Sequence, residues 1–100
     1  MQVIEKYKTD IIRLCLKHKV NKLYVFGSIL TNEFKEDSDI DFVIDFQSMD
    51  VTQYADNYFD FKFSLQDILQ RPIDLLEEKA IKNPFLKNAI IKQRQIVYEL

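Results

Sequence analysis

Residues 39–46, DIDFVIDF, are the most regular stretch of this chain. Its side chains alternate with a period of two, which is the pattern of a β-strand with one buried face. The apolar face comprises Ile40, Phe42, Ile44 and Phe46, and the opposite face Asp39, Asp41, Val43 and Asp45. The stretch is therefore predicted to be a strand with one core face and one largely acidic face.

The segments on either side of this strand carry alternating helix and strand signals. Apolar residues at helical spacing predict helices, and short runs of β-forming residues predict strands. The predicted helices are 3–18, 29–34, 51–69 and 84–92, and the predicted strands are 23–26, 39–46, 72–76 and 95–98. Asn83 and Pro84 supply an N-cap and a first-turn proline for the last helix. This order predicts an α/β (α+β) fold, a small mixed β-sheet with helices on one face.

Length and composition predict one globular domain over residues 1–100. The 100 residues are 47% hydrophobic and 30% charged, which is ordinary for a soluble protein. No apolar run approaches the roughly 20 residues of a membrane helix, and the charged N-terminus does not resemble a signal peptide. The single Cys15 excludes an internal disulfide, and Cys15 with the single His18 is too little for a cysteine- or histidine-based metal site. We expect a cytoplasmic protein with Cys15 in the core and His18 at the surface or capping the first helix.

The net charge of −2 hides an acidic middle of the chain. Residues 1–30 hold six basic and two acidic side chains, residues 31–78 three basic and thirteen acidic, and residues 79–100 five basic and one acidic. Because proteins that bind nucleic acid usually present a dominant basic face, direct nucleic-acid binding is not expected. The acidic middle is either a solvated surface or a site for cations.

The one glycine of the chain, Gly27, ends the predicted strand 23–26 and directly precedes Ser28. Glycine is needed where the backbone takes an unusual dihedral angle or approaches another group closely. A strand, a Gly-Ser pair and a helix in succession present backbone N–H groups and a hydroxyl, which suits a phosphate. The same pair also occurs in ordinary turns, and both interpretations stay open at this point.

Three carboxylates are candidates for one site. Asp39 and Asp41 share a strand face about 6.5–7 Å apart, so they can hold a hard cation such as Mg²⁺, or they are simply solvated. Asp74 lies within the apolar run IDLL at 73–76, where a carboxylate needs solvent, a partner or a ligand. If its strand pairs beside that of Asp41, Asp74 joins the pair. Asp45 lies further along the strand and is expected to be solvated.

Together these features resemble the minimal nucleotidyltransferase (MNT) domain of the polymerase-beta-like nucleotidyltransferase superfamily. The resemblance rests on VFGS at 25–28 and SDIDFVI at 38–44, and extends to Asp74, Asn83-Pro84 and IVYE at 96–99. It implies a nucleotidyltransferase-like fold over nearly the whole chain. It also implies an antitoxin that transfers AMP from ATP to a tyrosine of a HEPN-domain ribonuclease, in a hetero-oligomer with that toxin.

The resemblance also implies roles for individual residues. Gly27 and Ser28 would hold the nucleoside triphosphate, Asp39 and Asp41 would ligate two Mg²⁺ ions, and Asp74 would complete the metal site. Asp74 would also accept the proton of the attacking hydroxyl. The expected catalytic residues are Ser28, Asp39, Asp41 and Asp74.

The chain departs from many relatives directly after Gly27-Ser28. Those relatives carry an arginine- and glycine-containing segment, whereas residues 29–34 here read ILTNEF, and Lys35 is the nearest cation. One alternative is therefore an antitoxin that neutralises a HEPN ribonuclease by binding alone. Aromatic residues of the 51–69 helix could supply its interface: Tyr54, Tyr58, Phe59 and Phe63. Nucleotidyl transfer to a small molecule such as an aminoglycoside is a third possibility.

Overall fold

Four helices and four strands make up residues 2–100, the part of the chain that the computed structural model describes. The helices are α1 (Gln2–Lys6), α2 (Lys8–Lys17), α3 (Val51–Leu69) and α4 (Pro84–Gln93), and the strands are β1 (Val20–Phe26), β2 (Ile40–Phe46), β3 (Ile73–Glu77) and β4 (Gln95–Glu99). Short 3₁₀ turns follow β1 and β3. The order of strands and long helices is the predicted one, and none of the helices in this range is both long and apolar enough to cross a membrane.

The strands form one mixed sheet in the order β3-β2-β1-β4. Strand β1 runs antiparallel to β2 and β4, whereas β2 and β3 are parallel. Helix α3 connects the two parallel strands, since a parallel pair needs a long crossover. The predicted small mixed sheet with covering helices is confirmed, and its parallel pair brings the starts of β2 and β3 to the same edge.

The core lies between one face of the sheet and the first three helices. All four residues predicted for the apolar face of β2 are buried in it. The helices add Ile4, Ile11, Leu14 and Cys15 on one side, and Phe61, Leu65 and Leu69 on the other. Cys15 is fully buried, as expected, and burial raises the pKa of its thiol to about 12. The ten residues of α4 contribute nothing to this core.

Helix α3 has the predicted bounds and links the core to β3. The side chain of Asp50 caps its first turn by accepting a hydrogen bond from the Thr52 N–H, at 3.3 Å. Two tyrosines of α3 contact β3 through their hydroxyls. The Tyr54 hydroxyl donates to Oε2 of Glu77 and that of Tyr58 to the backbone oxygen of Leu75, each at 2.6 Å. These bonds hold β3 beside the helix.

Two helix predictions differ from the structure. The helix predicted at 3–18 is broken at Tyr7. Its N–H donates a hydrogen bond to the carbonyl oxygen of Ile4, three residues back, instead of to the residue four back as in an α-helix. The helix predicted at 29–34 is a 3₁₀ turn over Gly27–Leu30. It ends because the Thr31 hydroxyl donates to the Ser28 carbonyl at 2.9 Å and accepts from the Glu33 N–H at 3.2 Å, which competes with helical bonding.

His18 is the C-cap of α2, which confirms the capping role that was one of its two expected places. The other, at the surface, is wrong, because only 3% of its surface is exposed. Its Nδ1 lies 2.9 Å from the Leu14 carbonyl oxygen and its Nε2 lies 2.6 Å from Oδ2 of Asp60. These two contacts give both nitrogens of the buried ring a hydrogen-bond partner, which a buried polar side chain needs.

Candidate active site

The register of the sheet brings Asp41 and Asp74 together. Asp41 is the Cα partner of Phe26 on β1 and of Asp74 on β3. Neighbouring residues in register point to the same face of a sheet. The two carboxylates therefore lie side by side on the face opposite the core, as expected if β3 paired beside β2.

The surroundings of Asp41 raise the pKa of its carboxyl group. Burial, the hydrogen bond to Asp74 and the negative charges of Asp74 and Asp39 raise the pKa of Asp41 from 3.8 to about 6. Asp41 is half-buried, while Asp39 and Asp74 are exposed. The three carboxylates thus share one local field, and a cation placed among them would relieve it.

Asp39 lies directly before β2, in a segment held by an arginine. The Ile40 N–H donates to the Pro72 carbonyl at 3.3 Å, which joins the start of β2 to that of β3. Nη1 of Arg71 donates to the carbonyls of Lys35 and Ser38, at 3.2 and 3.1 Å. Arg71 therefore positions the loop that carries Asp39. Sequence reasoning missed this residue, since nothing in the chain shows that position 71 lies beside position 38.

Gly27 follows β1 and lies against Asp41. Its φ angle is +79°, in the left-handed region, and a Cβ built on it would collide with Oδ2 of Asp41. Both reasons for a glycine, unusual backbone and close approach, therefore hold at this position. Any side chain here would displace the Asp41 carboxylate.

A cavity of about 520 Å³ opens beside Gly27 and Ser28. The 3₁₀ turn and the residues after it form one wall, and the junction of α4 and β4 forms the other. Its lining residues are Gly27, Ser28, Leu30, Thr31, Glu33, Gln93 and Gln95. Gln93 and Gln95 are further residues that sequence reasoning missed, because only the pairing of β4 with β1 brings them there.

Asp45 lies at the other end of β2 and does not join the site. It is half-buried, accepts a hydrogen bond from Nδ2 of Asn21 at 2.8 Å, and lies 3.3 Å from Nζ of Lys79. The expectation that Asp45 is solvated is therefore wrong. The Lys79 contact is an ion pair without hydrogen-bond geometry, since Oδ1 of Asp45 has no hydrogen-bond partner.

The donor set of the acidic site fits a hard divalent cation. Within residues 2–100, no three or more His, Cys, Asp or Glu side chains form a ready-made group for a metal ion. Mg²⁺ does not need such a cage, since it commonly takes one or two carboxylates and completes its shell with water and substrate phosphates. The adjacent carboxylates of Asp41 and Asp74 meet that requirement.

Comparison with known proteins gives the family. Residues 9–97 match the nucleotidyltransferase domain family. A candidate protein adenylyltransferase of Methanocaldococcus jannaschii, MJ0128, is 35% identical over 103 aligned residues, which cover 98% of this chain and 99% of that protein. The protein adenylyltransferase MntA of Thermococcus cleftensis is 29% identical over 79 residues, covering 79% of this chain and 74% of MntA.

Solved structures share the fold. The structure of a candidate minimal nucleotidyltransferase matches with a TM-score of 0.76 at 22% identity, over 94% of this chain and 92% of that one. A chain from the complex of a tri-AMPylated Shewanella oneidensis HEPN toxin with its MNT antitoxin matches with a TM-score of 0.66 at 18% identity, over 97% of this chain and 73% of that one. The resemblance seen in the sequence is thereby confirmed, and the chain belongs to the nucleotidyltransferase domain family as a nucleotidyltransferase.

Proposed function

We propose that this protein is an antitoxin that transfers AMP from ATP to a tyrosine hydroxyl of a HEPN-type toxin, with Mg²⁺ as cofactor. It would act in the cytoplasm as a single domain over residues 1–100, in a hetero-oligomer with that toxin. The observation that carries the proposal is the pairing of Asp41 with Asp74 beside a glycine that leaves Asp41 room. The names of the adenylyltransferase relatives and the AMP groups on the Shewanella toxin support it.

Gly27 and Ser28 would hold the triphosphate. The left-handed backbone at Gly27 turns the chain out of β1, and the Ser28 hydroxyl and the backbone N–H groups of the turn are suitable donors to phosphate oxygens. Gly27 also lines the open cavity while it contacts Asp41. A triphosphate on this turn would therefore lie next to the acidic site.

Asp39, Asp41 and Asp74 would hold the metal, which we propose to be two Mg²⁺ ions. When bound, Mg²⁺ neutralises charge on the reacting phosphate and on the leaving pyrophosphate. The role of the protein is to keep the carboxylates adjacent. The β2–β3 register does so for Asp41 and Asp74, and the loop bound by Arg71 does so for Asp39.

The transfer is an in-line displacement at the α-phosphorus of ATP. The tyrosine oxygen forms a new bond to that phosphorus, the bond to the oxygen bridging the α- and β-phosphates breaks, and pyrophosphate leaves with the electron pair. The proton of the tyrosine passes to the Asp74 carboxylate. Asp74 suits this role because it is exposed, so a side chain of a partner protein can reach it.

Neutralisation by binding alone is the second candidate. Of the four aromatic residues expected to form an interface, Tyr54 and Tyr58 are tied to β3 by their hydroxyls. Phe59 and Phe63 are 50% and 59% exposed and stack on each other with ring centroids 6.1 Å apart. Exposed stacked rings of this kind suit contact with a protein partner.

Intact-mass spectrometry separates the two candidates. The HEPN partner is incubated with ATP, Mg²⁺ and this protein, and then weighed. Transfer predicts an AMP-sized increase that disappears with Asp39→Asn/Asp41→Asn and persists with Asp56→Asn/Asp67→Asn, which removes the same two charges at exposed positions of α3. A stable complex whose toxin keeps its mass under saturating ATP would contradict the transfer and support binding alone.

A further inference from the structure

The cavity beside Gly27 and Ser28 has the size of a ligand site but the wrong charge for a polyphosphate. Its volume of about 520 Å³ lies within the common range for ligand pockets. Neither lysine nor arginine is among its lining residues, and Glu33 adds a carboxylate. The interior of the cavity therefore suits an uncharged group rich in hydrogen-bond donors and acceptors. The phosphates of the same ligand would lie at its Gly27-Ser28 wall, towards Asp41.

The wall opposite the Gly-Ser turn carries two primary amides. Gln93, at the end of α4, and Gln95, at the start of β4, are both exposed residues that line the cavity. An amide offers two donors and one acceptor, which is the chemistry that reads the edge of a nucleobase, and glutamine pairs in bidentate fashion with adenine.

The residue between the two glutamines anchors this wall. Arg94 donates from Nη1 to Oε1 of Glu78 at 2.7 Å, and its guanidinium lies 3.9 Å from the ring centroid of Tyr24. Gln95 is itself the Cα partner of Val25, two residues before Gly27. The backbone that carries the two amides is thus fixed at this junction, and only their exposed side chains need to be ordered when a ligand binds.

We propose that Gln93 and Gln95 recognise the nucleobase of the bound nucleoside triphosphate and select adenine. The triphosphate then lies on the Asp41 side of Gly27 and the base on the side of the two amides. This inference rests on the proposed function, because it assigns a subsite of the same nucleotide site.

The test is nucleotide selectivity measured by calorimetric binding. ATP, GTP and Mg²⁺-tripolyphosphate are titrated into the wild-type protein and into Gln93→Leu/Gln95→Leu, with the exposed Gln53→Leu as matched control. We expect the double variant to lose about tenfold or more of the preference for ATP over GTP and to keep tripolyphosphate binding. Tripolyphosphate reports on the phosphate site alone, so a base-specific loss is distinct from a damaged fold.

If the double leucine variant does not fold, the isosteric variants Gln93→Glu and Gln95→Glu replace it, because they keep the size and shape of each side chain. A carboxylate only accepts hydrogen bonds, so these changes should shift the preference from ATP towards GTP. The assignment of the two glutamines is overturned if the ratio of ATP to GTP affinity is the same in every variant as in the wild type. It is also overturned if the wild type shows no preference for ATP. Wild-type protein that binds neither nucleotide nor tripolyphosphate overturns the proposed function as well.

Discussion

Oδ2 of Asp41 occupies the space in which a side chain at residue 27 would begin. The lone glycine of the chain is thus required by the acidic site as well as by its own φ angle of +79°. The turn that would receive the phosphates and the strand that would receive the metal are therefore built against each other.

Gly27→Ala should damage both stability and transfer. Alanine at this left-handed φ costs about 1–2 kcal/mol, and its Cβ would push the Asp41 carboxylate away from Asp74. We expect urea unfolding to show a loss of that order and AMP transfer to fall at least tenfold, which corresponds to about 1.4 kcal/mol of activation free energy.

A double-mutant cycle with Asp41→Ala isolates the collision, because Asp41→Ala alone also relieves the repulsion among the carboxylates. Gly27→Ala should cost less stability in the Asp41→Ala background than in the wild type, since the colliding carboxylate is gone. An equal cost in both backgrounds would show that Asp41 does not press on residue 27.

Asp41→Asn should stabilise the metal-free protein at neutral pH. Because the pKa of Asp41 is raised from 3.8 to about 6, the folded state binds the proton more tightly than the unfolded state. Its contribution to stability is therefore fully present below pH 3.8 and is lost as the pH rises through 6. After discounting for solvent exposure, we expect a gain on the order of 1 kcal/mol for the variant at pH 7.5.

Urea unfolding in the presence of a chelator at pH 4 and pH 7.5 measures this effect. The difference between Asp41→Asn and wild type should be larger at pH 7.5. A variant that is less stable than wild type at pH 7.5, or a difference independent of pH, would refute the repulsion among the carboxylates.

Asp60→Asn should lower the melting temperature at neutral pH. The hydrogen bond from His18 lowers the pKa of Asp60, so its contribution is present above the ordinary value of 3.8 and is lost as the pH falls through the lowered value. Melting curves at pH 7 and below pH 3.8 should show the gap to wild type closing in acid. Asp56→Asn, one turn earlier on α3, should show no such gap at either pH.

Arg71→Ala should slow AMP transfer more than it destabilises the fold. The change removes two hydrogen bonds to the loop that carries Asp39, and exposed bonds of this kind contribute about 1 kcal/mol or less. Hydrogen exchange should rise in residues 35–39. Arg71→Lys should restore transfer only in part. A lysine can donate to both carbonyls from its one nitrogen, as Nη1 does, but it lacks the planar guanidinium that lies 4.8 Å from the Phe34 ring centroid. Full transfer by Arg71→Ala would remove the positioning role.

Local signals predicted much of the fold. The alternation of residues 39–46 identified Ile40, Phe42, Ile44 and Phe46 as buried, although Val43 on the opposite face is buried too, and Asn83 marked the start of α4 correctly. The helix predicted at 29–34 failed where a side chain competes with helical bonding, at Thr31. Such competition depends on the detailed geometry of one turn, which periodicity does not report.

The sequence predicted the site only on the assumption that β2 and β3 are neighbours in the sheet. Asp74 could join Asp41 only if β3 paired beside β2, and the sequence carries no direct signal for that pairing. The contacts that escaped sequence reasoning join distant positions, such as Arg71 with Ser38 and His18 with Asp60. Strand order and the crossover of α3 create these contacts, so they become visible only in three dimensions.

The most direct measurement is transfer of labelled AMP from ATP labelled at the α-phosphate to the HEPN partner, with single variants of β2. Asp41→Asn removes the carboxylate that is paired with Asp74, whereas Asp45→Asn makes the same change four residues along the strand, at the end held by Asn21 and Lys79. We expect label on the toxin with wild type and Asp45→Asn, and none with Asp41→Asn. Equal labelling by Asp41→Asn would contradict the assignment of Asp41 and Asp74 as the centre of AMP transfer.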